Sequence, residues 1–143
     1  MNRRSLLIFI GLAMAGFLIV GWLISPGAGV PVLTYHHIGD GQEWYRISAA
    51  DFEEQLVYLR EKGYTAVTVM ELAEGLSGRL QLPPRPVVIT FDDGYEDNYA
   101  DAFPILKRQN MRGVFFVVTG KMGQPNYMSL DQAREMNEKG MEI

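Results

Sequence analysis

The stretch VVITFDDGYEDN, residues 87–98, joins a run of apolar, strand-forming residues to a group of acidic and amide side chains. β-Branched and aromatic residues make up its first half, which predicts a buried β-strand ending at Phe91. Asp92 and Asp93 follow at once, and Gly94 allows the chain to turn. Two adjacent carboxylates in this place are either an acidic turn or one part of a reactive site.

Strand-like and helix-like segments alternate on both sides of this stretch. The predicted strands are VPVLTYHHI, which ends near His36, then YTAVTV and the nearly all-apolar GVFFVV, which should be buried on both faces. N-cap residues, glycines and apolar spacing predict a short helix beginning at Thr68 and longer helices over residues 48–63, 98–110 and 129–140. Pro104 either bends its helix or marks the first turn. This alternation predicts an α/β fold of parallel (β/α) units.

An open doubly wound sheet and a β/α barrel both fit this order of elements. A closed barrel usually needs about 200 residues or more, and only residues 31–143 are available to this fold. The last three residues, MEI, resemble the opening of a further strand. We therefore expect either a small open fold or an incomplete barrel, with incompleteness favoured.

An uncharged apolar run, residues 6–24, follows a basic N-terminus, residues 1–5. As a helix of ~1.5 Å per residue it reaches about 28 Å, close to the roughly 30 Å hydrocarbon core of a bilayer. It predicts an uncleaved transmembrane signal-anchor, and the main alternative is a signal peptide removed near residues 27–29. Both interpretations keep residues 1–5 cytoplasmic and place the remainder outside the cytoplasm. The signal-anchor interpretation makes residues 25–30 a tether and the protein a single-pass membrane protein.

The composition excludes some classes of function. The sequence has no cysteine, so neither a disulfide framework nor a thiolate metal site is possible. Apart from Arg3 and Arg4, eleven Lys and Arg residues stand against seventeen Asp and Glu residues. This acidic balance argues against nucleic acid as the main partner, and it leaves small molecules or glycans open.

The carboxylate pair lies where parallel α/β folds bind their ligands, at the carboxyl end of a strand. Two ionised carboxylates so close together repel unless a cation or a donor compensates them. A divalent metal would do so, with one Asp as a ligand and the other free as a base. The alternative is an acidic turn with EDNYAD as a solvated helix start. An aspartyl-phosphate motif would need Asp-x-Asp, and an EF-hand loop would place its glycine later.

The longer stretch ITFDDGYEDNYADAFPILKRQNMRGVFFVVTG, residues 89–120, resembles the first motif and following βα unit of polysaccharide deacetylases, the NodB-homology enzymes of carbohydrate esterase family four. PVLTYHHI, residues 31–38, resembles the first strand of a branch that acts on poly-N-acetylglucosamine or other envelope glycans. The resemblance covers residues 31–143, with the core motif region at residues 85–143. Thr-Phe-Asp-Asp-Gly followed by a Phe-Phe strand is a specific combination.

This resemblance implies a deformed (β/α)7 barrel, of which the chain provides about half. It also implies a divalent metal, most often zinc and sometimes cobalt or manganese. By motif position Asp92 would be the general base and Asp93 a metal ligand. The metal would polarise an N-acetyl carbonyl while Asp92 takes a proton from the attacking water. The products would be acetate and a free amine on the polysaccharide.

The family's second motif, His-Ser/Thr-x-x-His, would supply two more metal ligands, and it normally begins just after a strand like GMEI. The only histidines are His36 and His37. Adjacent strand residues point to opposite faces, so at most one faces the site, and we expect His36 to line the pocket rather than bind metal. Tyr95 would line a glycan groove or pack at the helix start.

We therefore expect these 143 residues alone to lack a complete metal site, and a longer protein that contains them to be a deacetylase. The alternative is a non-catalytic glycan-binding or envelope-assembly protein on the same half fold. A different metal hydrolase would need other ligands. Neither the polysaccharide nor the metal follows from the sequence.

Overall fold

The structure, a computed structural model, describes residues 29–41 and 43–143. The predicted cytoplasmic N-terminus and transmembrane segment, residues 1–24, and most of the tether lie outside the described residues. Among the residues that are described, no helix has the length and apolar character needed to cross a bilayer.

Short strands and helices alternate along the described chain, as the sequence predicts. In order they are β1 (Val32–Tyr35), β2 (His37–Ile38), β3 (Arg46–Ile47), α1 (Ala49–Glu61), β4 (Thr65–Ala66), α2 (Val69–Leu76), β5 (Pro86–Phe91), a π-helical turn (Asn98–Ala102) that continues as α3 (Phe103–Arg108), β6 (Val114–Phe115), a 3-10 turn (Thr119–Lys121) and α4 (Leu130–Glu138).

β5 is the central strand, and every pairing that it makes is parallel. β1 lies along it in the register Val32 to Val88. β4 pairs with the beginning of β5, and β6 pairs with its end. β2 and β3 form a separate parallel pair, with His37 opposite Arg46. The prediction of an α/β fold with parallel strands is confirmed.

The helix starts are fixed by local hydrogen bonds that the sequence predicts. The Ser48 side chain caps α1. Reciprocal capping boxes start α2, between Thr68 and Glu71, and α4, between Ser129 and Gln132. Each cap satisfies backbone N–H groups that have no partner within the helix, a contribution of about 1 kcal/mol.

The core beneath the end of β5 is aromatic. The Phe91 ring, which is fully buried, stacks on Phe115 with ring centroids 4.5 Å apart. Phe52 of α1 meets it edge-on at 5.7 Å, and Tyr35 of β1 stacks on it at 5.6 Å. Three other elements, α1, β1 and β6, therefore hold the residue that directly precedes Asp92.

Two predictions about the last third of the chain need correction. GVFFVV is not buried on both faces: only Val114 and Phe115 form a strand, while Phe116 is 52% and Val118 40% exposed. Past β6 the described sheet continues only as a single parallel bridge from Val114 to Glu142. The side chains of Phe116 and Val118 therefore have little to pack against. That bridge does confirm that MEI starts a further pairing.

The helix predicted over residues 98–110 is also shorter than expected. It begins as the π-helical turn, continues as α3 with Pro104 in the first turn, and ends at Arg108. Asn110 already has a positive φ of 53°, in the left-handed region that Asn tolerates better than most residues. Pro104 therefore marks a first turn instead of a bend.

Candidate active site at the end of strand β5

Asp92 and Asp93 occupy the carboxyl end of β5. The Asp92 backbone N–H donates to the carbonyl of Tyr35 at 2.9 Å, so Asp92 still belongs to the ladder with β1. Asp93 (φ 70°) and Gly94 (φ 71°) are both left-handed, and the chain therefore turns immediately after Asp92. The sequence predicts the turn at Gly94, but it does not predict that Asp93 shares this conformation, which Asp tolerates better than most residues.

Close packing as well as backbone conformation requires the glycine at position 94. A Cβ on Gly94 would lie 3.0 Å from Val117 Cγ1 and 3.2 Å from Val117 Cα, which is backbone. The segment that carries the carboxylates therefore lies directly against the chain that follows β6. This contact fixes the position of the turn.

Replacing Gly94 by Ala is expected to lower the free energy of unfolding by about 2–4 kcal/mol, from left-handed strain and from overpacking against Val117. Equilibrium denaturation measures the change. Gly78→Ala is the matched control, because Gly78 has a φ of 75° and open space around it. It should cost only the backbone strain, about 1–2 kcal/mol. Equal losses for both variants would contradict the proposed contact.

His36 reaches the carboxylates from the neighbouring strand. Because β1 and β5 are parallel neighbours, their carboxyl ends meet at the same edge. His36 Nε2 lies 3.9 Å from Asp92 Oδ2, and both side chains are partly exposed, at 39% and 38%. The structure thus brings together the His36 and Asp92 side chains that the sequence predicts to share a pocket. Their roles stay predictions.

Tyr95 lies beside Asp93. Burial, followed by hydrogen bonding to the Asp93 carboxylate and by its negative charge, raises the pKa of Tyr95 to about 12. The phenol is therefore neutral near pH 7 and can donate to that carboxylate. Its ring stacks on His37 at 3.7 Å and on Tyr127 at 5.2 Å. Tyr95 thus connects Asp93 to a packed group of aromatic rings.

Asp97 is the centre of a hydrogen-bond network that the sequence does not predict. Its Oδ2 atom accepts from His37 Nδ1 at 2.6 Å and from Arg46 Nη1 at 3.0 Å. Its Oδ1 atom accepts from Asn98 Nδ2 at 3.0 Å, and the same amide donates to the carbonyl of His36 at 2.8 Å. The Asp97 side chain is only 18% exposed and Asn98 is buried. EDNYAD is therefore not simply a solvated helix start, because its middle residues fasten β2 and β3 to the segment after Asp93.

A polar cleft of about 560 Å³ adjoins this network. Its lining includes His37, Arg46, Tyr95, Asp101 and Tyr127, but neither Asp92 nor Asp93. Burial, and then the nearby charges of Asp97 and Asp40, raise the pKa of Asp101.

The described residues fit part of a divalent metal site. Asp93 offers a carboxylate oxygen at the strand end, a donor that zinc and related ions accept. Within residues 29–41 and 43–143, no three His, Asp or Glu side chains converge on a point where they could hold an ion. Asp93 can therefore be one ligand of such an ion, and a complete set of ligands would need at least one residue from outside this set.

These features define an α/β protein with a paired-carboxylate site at the carboxyl end of its central parallel strand. The family model described as polysaccharide deacetylase matches residues 79–143, which include β5, both aspartates and α4. The chain belongs to the polysaccharide deacetylase family, as its resemblance predicts, and this family is generally dependent on a divalent metal.

Relatives and solved structures agree with this assignment. The Bacillus subtilis protein YxkH is 34% identical over 116 residues, covering 81% of this chain and 41% of YxkH. A poly-beta-1,6-N-acetyl-D-glucosamine N-deacetylase of Escherichia coli is 35% identical over 85 residues, 57% of this chain and 13% of its own. The solved structure of IcaB from Ammonifex degensii superimposes with a TM-score of 0.74 at 38% identity, over 82% of this chain and 52% of IcaB. The chain thus spans about half the length of these relatives or less.

Proposed function

We propose that the protein hydrolyses N-acetyl groups on an N-acetylglucosamine-containing polysaccharide of the cell envelope or the extracellular matrix, and releases acetate. The observation that carries the proposal is the Asp92–Asp93 pair at the end of β5, with His36 facing Asp92 from β1. Several relatives, such as the Escherichia coli enzyme, are named as N-deacetylases of poly-β-1,6-N-acetyl-D-glucosamine, which supports this substrate class.

Asp92 is the proposed general base. It is half-buried, its backbone is held by the ladder with β1, and its carboxylate faces solvent and His36. A carboxylate in this position can take a proton from the water that attacks the N-acetyl carbonyl. The water's oxygen then bonds to the carbonyl carbon, and the C–N bond breaks to give acetate and an amine.

His36 is the proposed proton donor to the departing nitrogen. An amide nitrogen leaves readily only if it is protonated as the bond breaks. His36 Nε2 is 3.9 Å from Asp92 Oδ2, so both groups can reach the same substrate amide. Asn98 holds the backbone behind His36 through its bond to the His36 carbonyl. This role goes beyond the pocket-lining position that the sequence predicts.

Asp93 is the proposed protein ligand for the divalent metal, with zinc the first candidate and cobalt or manganese the others. When bound, the metal would supply polarisation of the N-acetyl carbonyl. Tyr95 supports this role from the protein side, because it lies beside Asp93 and its neutral hydroxyl can donate to that carboxylate. Histidines of a longer protein would complete the ligand set.

We also propose that the described strands are an arc of a (β/α)7 barrel. Two apolar surfaces support this arrangement, one at each side of the sheet. A groove of about 650 Å³ runs between β1 and α1, and its lining includes Leu33, Tyr35 and Ile47. On the other side, Phe116 and Val118 are exposed beyond β6. Further barrel strands would cover both surfaces.

The proposed location is extracytoplasmic, with residues 6–24 as the membrane anchor and residues 1–5 in the cytoplasm. The support is the length of the apolar run and the basic residues before it. A polysaccharide substrate outside the cytoplasm is consistent with this topology.

Acetate release tests the proposed function directly. A longer protein that contains these residues and the histidines that complete the ligand set is incubated with β-1,6-linked N-acetylglucosamine oligomers, and acetate and free amines are both quantified. We expect equal amounts of the two, loss of activity after chelation, and recovery on adding zinc. Binding of the oligomers without acetate release would contradict the proposal and support the non-catalytic glycan-binding alternative.

A further inference from the structure

The segment between β2 and β3 carries two aromatic side chains into solvent. Trp44 is 92% exposed and Tyr45 is 39% exposed. They are the central residues of a turn that is closed by a hydrogen bond from the Arg46 N–H to the Glu43 carbonyl at 3.0 Å. The centres of turns usually hold Gly, Pro, Asn, Asp or Ser. The Trp-Tyr pair is therefore not explained by the needs of the turn.

This aromatic turn, residues 43–46, is fastened to the body of the protein. Arg46 donates from Nε to Glu43 Oε2 at 2.7 Å, within the turn, and from Nη1 to Asp97 Oδ2 at 3.0 Å, outside it. The Arg46 side chain is only 14% exposed. Because the base of the turn is held in this way, less conformational entropy is lost when a ligand binds to its aromatic residues.

The aromatic turn also adjoins the candidate active site. The ring of Tyr45 lies 6.0 Å from the His36 ring and 5.7 Å from the His37 ring, between centroids. Trp44 meets Tyr45 edge-on at 5.4 Å. Since His36 faces Asp92, a continuous series of rings leads from the exposed indole to the carboxylate pair.

The chemistry of this surface favours a sugar. An indole offers a broad apolar face, which suits the C–H face of a sugar ring, and the ring N–H of an indole and the hydroxyl of a tyrosine can bond to sugar hydroxyls. The turn has no surplus positive charge to attract anionic lipid, because Arg46 is paired with both Glu43 and Asp97. We propose that Trp44 and Tyr45 form a subsite for a second sugar unit of the polysaccharide whose N-acetyl group is processed at Asp92. This inference rests on the proposed function for the identity of the glycan.

Intrinsic fluorescence tests the subsite without requiring activity. The 143-residue chain contains only two tryptophans, so in the Trp22→Phe variant, in detergent micelles, Trp44 is the sole indole emitter. Titration with β-1,6-linked N-acetylglucosamine oligomers should change its emission saturably. The Trp44→Ala variant should bind the oligomers about 3- to 10-fold more weakly by calorimetry, the size expected for losing one aromatic contact.

Tyr58→Ala is the matched control, since Tyr58 is an exposed aromatic residue on α1, at 58% exposure, and should leave oligomer affinity unchanged. Unchanged affinity in Trp44→Ala would overturn the subsite. So would an emission change produced by anionic phospholipid vesicles or by self-association and not by the oligomers.

The proposed subsite and the proposed deacetylation reaction can be disproved independently of each other. Binding through Trp44 without any acetate release by the longer protein that carries the complete ligand set would keep the subsite and remove the proposed reaction. In a protein that does release acetate, Trp44→Ala should raise KM for long oligomers and leave kcat unchanged. An unchanged KM would remove the subsite and keep the reaction.

Discussion

Replacing Asp92 by Asn is expected to lower the rate of acetate release about 10²- to 10⁴-fold, the range that a positioned general base contributes. Asn has nearly the same shape, and the backbone bond to the Tyr35 carbonyl does not involve the side chain. The variant should therefore keep its fold. What it loses is the basic oxygen, because an amide does not accept a proton near neutral pH.

The measurement is kcat and KM for N-acetylglucosamine oligomers, with melting temperature as a check of folding. KM should change little if Asp92 acts on the water and not on substrate binding. Asp131→Asn is the control: the same chemical change is made at an α4 carboxylate that is 90% exposed, and activity should be unchanged. An Asp92→Asn variant with a near-normal kcat would rule out Asp92 as the general base.

Replacing Phe91 by Ala is expected to lower the free energy of unfolding by about 3–5 kcal/mol, as for other buried aromatic residues. The ring is fully buried and contacts Phe52, Tyr35 and Phe115, which belong to α1, β1 and β6. Because a rigid aromatic cluster can collapse only partly around the missing ring, a cavity would remain. Urea denaturation measures the loss.

Phe116→Ala makes the same substitution at a phenylalanine that is 52% exposed, and it should cost well under half as much. Similar losses for the two variants would show that the described burial does not hold in solution. Because Phe91 also supports the backbone of Asp92, any Phe91→Ala protein that still folds should have reduced activity.

The features that could be predicted from sequence are those set by near neighbours in the chain. Ser48, Thr68 and Ser129 lie within three residues of the groups that they cap, so the helix starts follow from local chemistry. The carboxylate pair was predictable because a run of strand-forming residues ends where parallel strands bind ligands.

The features that were missed depend on residues far apart in sequence. His37 and Asp97 are separated by 60 positions, and Arg46 and Asp97 by 51. No pattern of neighbouring residues predicts that these side chains contact one another. A charged run such as EDNYAD is usually exposed to solvent. The burial of Phe116 could not be predicted from its neighbours in sequence either, because it depends on which strand lies next to β6.

The pairing of β1 with β5 has a consequence for how the protein is made. Thr34 and its partner Thr90 are 56 positions apart, and a ribosome adds about 5–20 residues per second. For several seconds β1 has been synthesised while its partner strand has not. His36 and Asp92 therefore cannot meet until Asp92 itself has been added, and during this interval β1 has no sheet partner in the nascent chain.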